Sequence, residues 1–293
     1  MWYRALSLRK AVKQMNRKIK IVADSSANIL ELDKVEFASA PLKIITDKRE
    51  FADTEELDVQ EMISYLCTNS GKSKTSCPNP NDWLEAFGDA DDIFCVTITS
   101  GLSGSYNSAC VAKKIYEENN KDKRVFVIDS LSAGPELRLI IEKLSEMIEL
   151  HINYEEICQE ITKYQQTTGL IFSLESLKNF AANGRVSPIV AKLVGVLGIR
   201  FVGKASEQGT LQVVDKCRGE EKTLATMVGY IREHGLKEGR VQIAHCENEK
   251  AALKLKAMIN ESMPRARVGI EPCRGLCSYY AERGGMLVAF ENF

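Results

Sequence analysis

Small hydroxyl side chains follow three apolar runs in the first half of the chain. The runs end at Asp24-Ser25-Ser26, at Thr99–Ser105 and at Asp129-Ser130. Ligands of an open parallel sheet bind beyond the carboxyl ends of its strands, so these segments are candidates for one site. The middle segment contains two glycines and precedes a predicted helix, whose first N–H groups lie at a positive dipole end without partners in the helix. The pattern therefore predicts a site for a carboxylate or a phosphate.

Helix capping is an alternative explanation of the same residues. Asp24, Asp129 and Ser103 are all of types that cap helix N-termini. For the two aspartates taken alone, capping is the favoured interpretation. For the whole segment Thr99–Ser105, a ligand site is favoured, because its glycines let the backbone approach an anion closely.

A second hydroxyl pair, Thr75 and Ser76, lies in a segment that we predict to be a turn. Pro78 follows and favours an extended conformation for Cys77, which presents the two hydroxyls instead of folding them into a helix. Taken alone the pair is a weak signal, since most such turns only end a loop.

Enzyme motifs are poorly represented. The segment Gly101-Leu102-Ser103-Gly104-Ser105 lacks the last glycine of a nucleophile elbow. The chain has few candidates for the base of a Ser–His pair, its histidines being His151, His234 and His245. No phosphate loop or dinucleotide fingerprint is present, and Cys273 and Cys277 have no second pair with which to bind zinc. We predict a non-enzymatic protein without a cofactor or metal; the alternative is a serine-dependent hydrolase or a phosphotransfer enzyme that uses Ser103 and Gly104.

The predicted elements make this an α/β protein of two lobes. In the first half, strands are predicted at 18–23, 35–41, 42–46, 92–98 and 124–128, and helices at 58–66, 82–88, 105–119, 136–150 and 154–168. Such alternation predicts a mostly parallel sheet with helices on both faces. In the second half, strands are predicted at 170–174, 199–204, 211–216, 240–245, 266–271 and 286–290, and helices at 223–234 and 250–261. A hairpin through 207–210 predicts a mixed or antiparallel second sheet.

We divide the chain into an N-terminal extension at 1–17, a first lobe at 18–160 that carries the anion site, and a second lobe at 161–293. The first 18 residues carry six basic side chains and no acid, which favours a short surface helix or a tail and leaves transient membrane contact possible. No secretory signal or transmembrane helix is expected, because no long apolar run occurs.

The composition excludes some partners and indicates a compartment. Among 293 residues the acids and bases nearly cancel to a net charge of −1, which gives no support to nucleic-acid binding. Nine scattered cysteines, an odd number, indicate reduced thiols in a reducing compartment. A cytoplasmic location is therefore expected.

Five short motifs together resemble the DegV family of bacterial fatty-acid-binding proteins across nearly all of 18–293. They are Ile21-Val22-Ala23-Asp24-Ser25-Ser26, Lys74-Thr75-Ser76-Cys77-Pro78, the stretch from Thr99 to Ala109, Val127-Ile128-Asp129-Ser130, and Asn183-Gly184-Arg185-Val186-Ser187. The resemblance implies one long-chain fatty acid buried between the two α/β lobes, carried and presented to a separate fatty acid kinase for acyl-phosphate formation. It also implies that the carboxylate is held by Thr75, Ser76, Ser100, Ser103 and the Gly104 amide. Arg185 is expected to contact the ligand or a partner near the carboxylate, and the alternative for Arg185 is an ion pair that bridges the lobes.

One segment departs from the family pattern. Members that work with a kinase usually end in a Gly-x-His-x-Gly-Pro-Gly segment, whereas the stretch from Ser278 to Met286 has no histidine and no Gly-Pro-Gly. Fatty-acid binding is compatible with this change, but delivery to a kinase by the usual mechanism is put in doubt. The alternative for this stretch is a helix that packs Tyr279 or Tyr280 ahead of the last strand.

Overall fold

The computed structural model describes residues 17–69, 71–186 and 198–292. The predicted extension, apart from Arg17, and Ser187 of the last motif lie outside these residues. Within them, no helix combines the length and the apolar character that are needed to cross a bilayer.

The strands and helices alternate along most of the chain. In chain order the strands are β1 (Ile19–Asp24), β2 (Glu36–Ala40), β3 (Lys43–Thr46), β4 (Glu50–Ala52), β5 (Ser73–Ser76), β6 (Asp92–Thr97), β7 (Arg124–Asp129), β8 (Thr168–Leu174), β9 (Ile199–Ala205), β10 (Leu211–Arg218), β11 (Glu238–His245), β12 (Arg265–Pro272) and β13 (Met286–Glu291). The helices are α1 (Val59–Thr68), α2 (Pro80–Phe87), α3 (Ser105–Asn119), α4 (Pro135–Glu149), α5 (Tyr154–Tyr164), α6 (Lys178–Ala182), α7 (Glu220–Glu233), α8 (Glu249–Ser262) and α9 (Gly275–Ala281).

The first lobe contains a parallel sheet with the strand order β2-β1-β6-β7. Successive side chains of a strand point to opposite faces, so β1 and β6 contribute to two apolar clusters. Ile21 and Phe94 pack against α4 and α5 on one face. Val22 and Cys95 pack with residues of α2 and α3 on the other. The predicted parallel sheet with helices on both faces is confirmed.

The second lobe contains a mixed sheet with the order β10-β9-β8-β13-β11-β12. Its strands β11 and β12 run parallel, while the other neighbours pair antiparallel. The predicted hairpin joins β9 to β10, with a register shift between Val213 and Asp215. This architecture agrees with the predicted mixed sheet.

A small antiparallel sheet, with the order β4-β3-β5, was not predicted. Thr75 and Ser76 lie on its strand β5, opposite Ile44 and Lys43 of β3, so the predicted turn at these two residues is wrong. Polar residues fill β5, whose sequence is Ser-Lys-Thr-Ser, and the apolar alternation that reveals a strand is therefore missing. The sheet packs Ile44 and Phe51 into an apolar cluster shared with strand β8.

The boundary between the predicted lobes falls within a helix. The helix predicted at 154–168 ends at Tyr164, and a short 3₁₀ turn leads into strand β8 at Thr168. Helix α4 of the first lobe contacts strands of both large sheets. The division at residues 160 and 161 stays a prediction.

Candidate functional site

An apolar cavity with a volume of ≈ 260 Å³ lies among the three sheets. This volume is just below the range of about 300–1,000 Å³ that is typical of ligand pockets. Leucine, isoleucine and phenylalanine side chains form much of its wall: Leu42, Ile98, Leu102, Leu170, Phe172, Leu174, Phe180, Leu211, Leu276 and Leu287. Hydroxyl groups and one guanidinium also line it, so the cavity suits a ligand with a long apolar body and a polar group.

One polar wall is formed by strand β5. Pairing with β3 holds Thr75 in an extended conformation, and its backbone N–H donates to Asn183 Oδ1 at 3.1 Å. The Thr75 hydroxyl lies 2.7 Å from the Tyr280 hydroxyl, and both residues line the cavity. The amide of Thr75 is thus already bonded within the protein, whereas its side chain faces the cavity.

The second polar wall is the loop between β6 and α3. Ser103 and Gly104 line the cavity immediately before the first turn of α3. Gly104 is the N-cap of the helix, no side chain caps it, and Ser103 Oγ accepts a hydrogen bond from the Ser105 N–H at 3.2 Å. The positive dipole end of a 15-residue helix therefore points toward this wall, an arrangement that favours an anion.

Asp24 fixes the position of this loop. It is fully buried, and its Oδ2 accepts hydrogen bonds from the Ile98 N–H at 2.8 Å and from Ser105 Oγ at 2.6 Å. Its Oδ1 accepts from the Ser26 N–H as the cap of the 3₁₀ turn at Ser25–Ala27. Burial raises the pKa of Asp24, a shift that the hydroxyls of Ser105 and Ser26 oppose. Asp24 thus caps a turn, in agreement with the capping interpretation. It also connects β1 to Ile98 and Ser105, at the two ends of the loop between β6 and α3.

Arg185 and Cys77 lie beside this loop. The Arg185 Nε donates to the Leu102 carbonyl at 3.2 Å, and its Nη1 donates to the Asn183 carbonyl at 2.5 Å. Within the described residues, Arg185 forms no salt bridge with a carboxylate. The Arg185 guanidinium is therefore held at the cavity by carbonyl groups, which do not neutralise its charge.

Cys77 also lines the cavity. Burial raises the pKa of the Cys77 thiol, while Arg185 and the Gly104 amide oppose that shift.

The tip of the β9–β10 hairpin also contributes to the cavity wall. Gly209 and Thr210 line the cavity, and the tip contacts the loop that contains Thr99 and Gly101. A Cβ on Gly209 would lie 1.9 Å from Thr99 Oγ1, and one on Gly101 would lie 2.6 Å from the Gln208 carbonyl oxygen. Gly209 also has a φ of +68°, which L side chains rarely adopt. The two backbones can thus meet here only because both positions are glycine.

Five of the predicted site residues line this cavity: Thr75, Ser76, Ser103, Gly104 and Arg185. Ser100 does not line it; its side chain is exposed, and its N–H donates to Asp129 Oδ1 at 3.0 Å. Tyr280 and the hairpin tip were missed as site residues. The stretch that contains Tyr280 forms helix α9, in agreement with the helical alternative. Nothing in its local pattern indicates which tyrosine faces the cavity.

The described residues of the cavity wall do not include the groups that a serine hydrolase needs. Among the described residues, none of the three histidines lines it, and Ser103 Oγ contacts a backbone amide, which cannot act as a base. The described residues also hold no cluster of metal-ligating side chains. The geometry therefore defines an α/β protein with an apolar cavity that has polar groups on two of its walls.

The family model described as "Uncharacterised protein, DegV family" matches residues 18–292. A DegV domain-containing protein of Streptococcus pneumoniae is 42% identical over 276 residues, which cover 93% of this chain and 98% of that protein. The chain belongs to the DegV family, as its motifs predicted.

Two solved structures have the same fold. A DegV family protein from Eubacterium eligens loaded with heptadecanoic acid has a TM-score of 0.92 and 45% identity, covering 94% of this chain and 100% of that chain. The Streptococcus pneumoniae Fatty Acid Kinase (Fak) B3 protein loaded with linoleic acid has a TM-score of 0.92 and 42% identity, with the same coverage. Both structures are of proteins with a bound fatty acid, and both support the α/β fold described above.

Proposed function

We propose that this protein is a lipid-binding carrier that holds one long-chain fatty acid in the cavity. The observation that carries the proposal is that Thr75, Ser103 and Arg185, which are far apart in the sequence, line one apolar cavity. The fatty acids bound to the two similar proteins support the choice of ligand. The proposed function assigns no catalytic residue and no cofactor to the protein.

Burial of the acyl chain provides the affinity. Each methylene contributes about 0.8 kcal/mol when it leaves water. A C16 chain therefore offers on the order of 10 kcal/mol before the entropic costs of association. Phe172, Leu211 and Leu287 are among the side chains that would surround the chain.

The carboxylate needs hydrogen-bond donors, because an unpaired buried charge is costly. We place it against the hydroxyls of Thr75, Ser76 and Ser103, the Gly104 amide and the Arg185 guanidinium. The hydroxyls and the helix N-terminus donate hydrogen bonds to the anion, and the guanidinium adds a positive charge. The family resemblance places Ser100 in the same set, but Ser100 does not line the cavity, so no contact supports this role for it.

Removal of one head-group hydroxyl tests this placement. We expect Thr75→Val and Ser103→Ala each to weaken palmitate binding about tenfold or more, since a hydrogen bond to a charged group contributes about 1.5–3 kcal/mol. Native mass spectrometry of protein purified without added lipid should show a retained fatty acid, and titration of delipidated protein gives the dissociation constants. Ser100→Ala is the matched control, because it removes a hydroxyl from the same loop outside the cavity. A wild-type protein that neither retains lipid nor takes up palmitate contradicts the proposed function.

We also propose that the bound acid is presented to a separate fatty acid kinase, which transfers the γ-phosphoryl group of ATP to a carboxylate oxygen and releases ADP. The name of the Streptococcus pneumoniae Fak B3 protein supports such a partner. The absent histidine segment argues for a different contact surface near Glu282 and Arg283. The nine free cysteines support a reducing, cytoplasmic location.

Delivery is tested with the palmitate-loaded protein, ATP and a bacterial fatty acid kinase. We expect acyl phosphate to form, and hydroxylamine traps it as a hydroxamate that mass spectrometry detects. A reaction without this protein measures the background. If palmitate stays bound and no hydroxamate forms above background, delivery is contradicted while the binding proposal stands.

A further inference from the structure

We propose that Tyr280 is a carboxylate-binding residue of the cavity and donates its phenolic hydrogen bond to the same acid head group as Thr75. This inference rests on the proposed function, because it assigns a further residue to that site. The two hydroxyl groups lie 2.7 Å apart although their residues are separated by 205 positions in the chain.

The paired hydroxyls match the acceptor pattern of a carboxylate. At 2.7 Å one of the two hydroxyls donates to the other. A carboxylate, which accepts through two oxygens with about four lone-pair sites, can take both protons when it replaces that bond. The Thr75 N–H is already bonded to Asn183, so the side-chain hydroxyl is the group that Thr75 can offer to a ligand. Tyr280 thus extends the donor set formed by Thr75, Ser103 and Arg185 across the cavity.

The ring of Tyr280 is held in place by aromatic neighbours. Its centroid lies 4.5 Å from that of Phe180, and the Tyr279 ring packs against it edge-on at 4.9 Å. The N-terminus of α9 is fixed as well, because buried Asp53 accepts hydrogen bonds from the N–H groups of Gly275 and Leu276 at 3.0 and 2.8 Å. A donor that is positioned in advance loses little entropy when a ligand binds.

The protonation state of Tyr280 suits a donor. Burial raises the pKa of its hydroxyl, and the Thr75 hydroxyl and Arg185 oppose that shift. A phenol with a pKa above its ordinary value of about 10 stays neutral at pH 7. Tyr280 therefore donates a hydrogen bond without adding a negative charge beside the carboxylate.

The neighbouring Tyr279 makes different contacts and faces a different cleft. Its hydroxyl lies 2.8 Å from Ser73 Oγ and accepts a hydrogen bond from Asn183 Nδ2 at 2.9 Å. Tyr279 does not line the cavity; it lines a separate outer cleft together with Ser73 and Lys74. The two adjacent tyrosines thus differ in the side of the wall that they face, and Tyr279 provides a matched control.

The test compares Tyr280→Phe with Tyr279→Phe, using palmitate and its methyl ester as ligands. Tyr280→Phe keeps the ring and its packing, so we expect a folded protein that binds palmitate about tenfold more weakly, the loss that ~1.4 kcal/mol produces. Binding of the methyl ester, which carries no negative charge, should change less than about twofold, which is within ~0.4 kcal/mol. Tyr279→Phe should leave the ratio of acid to ester affinity unchanged.

Two outcomes would overturn the inference. Unaltered palmitate affinity in Tyr280→Phe excludes the contact, and equal losses for acid and ester show that Tyr280 only shapes the cavity. A wild-type protein that does not bind palmitate instead contradicts the proposed function, so the two failures are distinguishable.

Discussion

Asp24→Ala is expected to lower the free energy of unfolding by about 3 kcal/mol or more and to abolish measurable fatty-acid binding. Asp24 is fully buried, and its loss leaves the Ile98 N–H and the Ser105 hydroxyl without their acceptor. The N–H and the hydroxyl of Ser26, which donate to Asp24 Oδ1, lose their acceptor as well, and each buried donor without a partner costs about 1–3 kcal/mol. Since Ile98 and Ser105 flank the loop that contains Ser103 and Gly104, the anion site is displaced as well.

Denaturant unfolding of the variant measures the first effect, and titration with palmitate measures the second. Asp129→Ala is the matched control: Asp129 ends strand β7 of the same sheet and accepts from the N–H groups of Ser100 and Leu131 at 3.0 and 3.1 Å, but it is only half-buried. Water can replace its contacts, so we expect a loss of about 1 kcal/mol. Equal losses in the two variants would show that Asp24 has no special part in holding the loop.

Gly209→Ala is expected to open the cavity at the hairpin tip. The new Cβ would lie 1.9 Å from Thr99 Oγ1 and 3.0 Å from the Leu131 Cα, so the tip must move away from the first lobe. We expect overpacking to cost about 1–3 kcal/mol in addition to roughly 1 kcal/mol of left-handed backbone strain. Because Gly209 and Thr210 line the cavity, the bound acid should dissociate roughly tenfold faster, a change equivalent to ~1.4 kcal/mol.

Gly219→Ala separates the backbone strain from the clash. Gly219 has a φ of +85°, and a Cβ there meets no atom within 4 Å. This variant should therefore lose stability through strain alone and keep the wild-type dissociation rate. Stopped-flow displacement of a fluorescent fatty acid gives the rates, and thermal unfolding gives the stabilities. Similar dissociation rates in both variants would contradict a role for the hairpin tip in closing the cavity.

Local sequence patterns were sufficient to predict most of the helices and strands. The helix predicted at 105–119 coincides with α3, and the strand predicted at 124–128 is one residue shorter than β7. Apolar periodicity and capping residues act over one or two turns or a single strand, so they can be read from neighbouring residues. Strand β5 was missed because its four residues are polar and its pairing with β3 supplies the stabilisation that its side chains do not.

For the site too, some residues could be selected from the sequence, whereas others were identified only from the tertiary structure. The order of the short motifs was enough to indicate the family, and the resemblance to that family gave Thr75, Ser103 and Arg185 as site residues. Their contact with a ligand stays a prediction, although all three line the cavity. The tertiary structure alone brought Tyr280 to Thr75, Gly209 to Thr99 and Asp53 to Gly275 at the start of α9, across separations of 205, 110 and 222 residues. Contacts over such distances depend on how the sheets pack, and packing leaves no periodic signal in the segments that it joins.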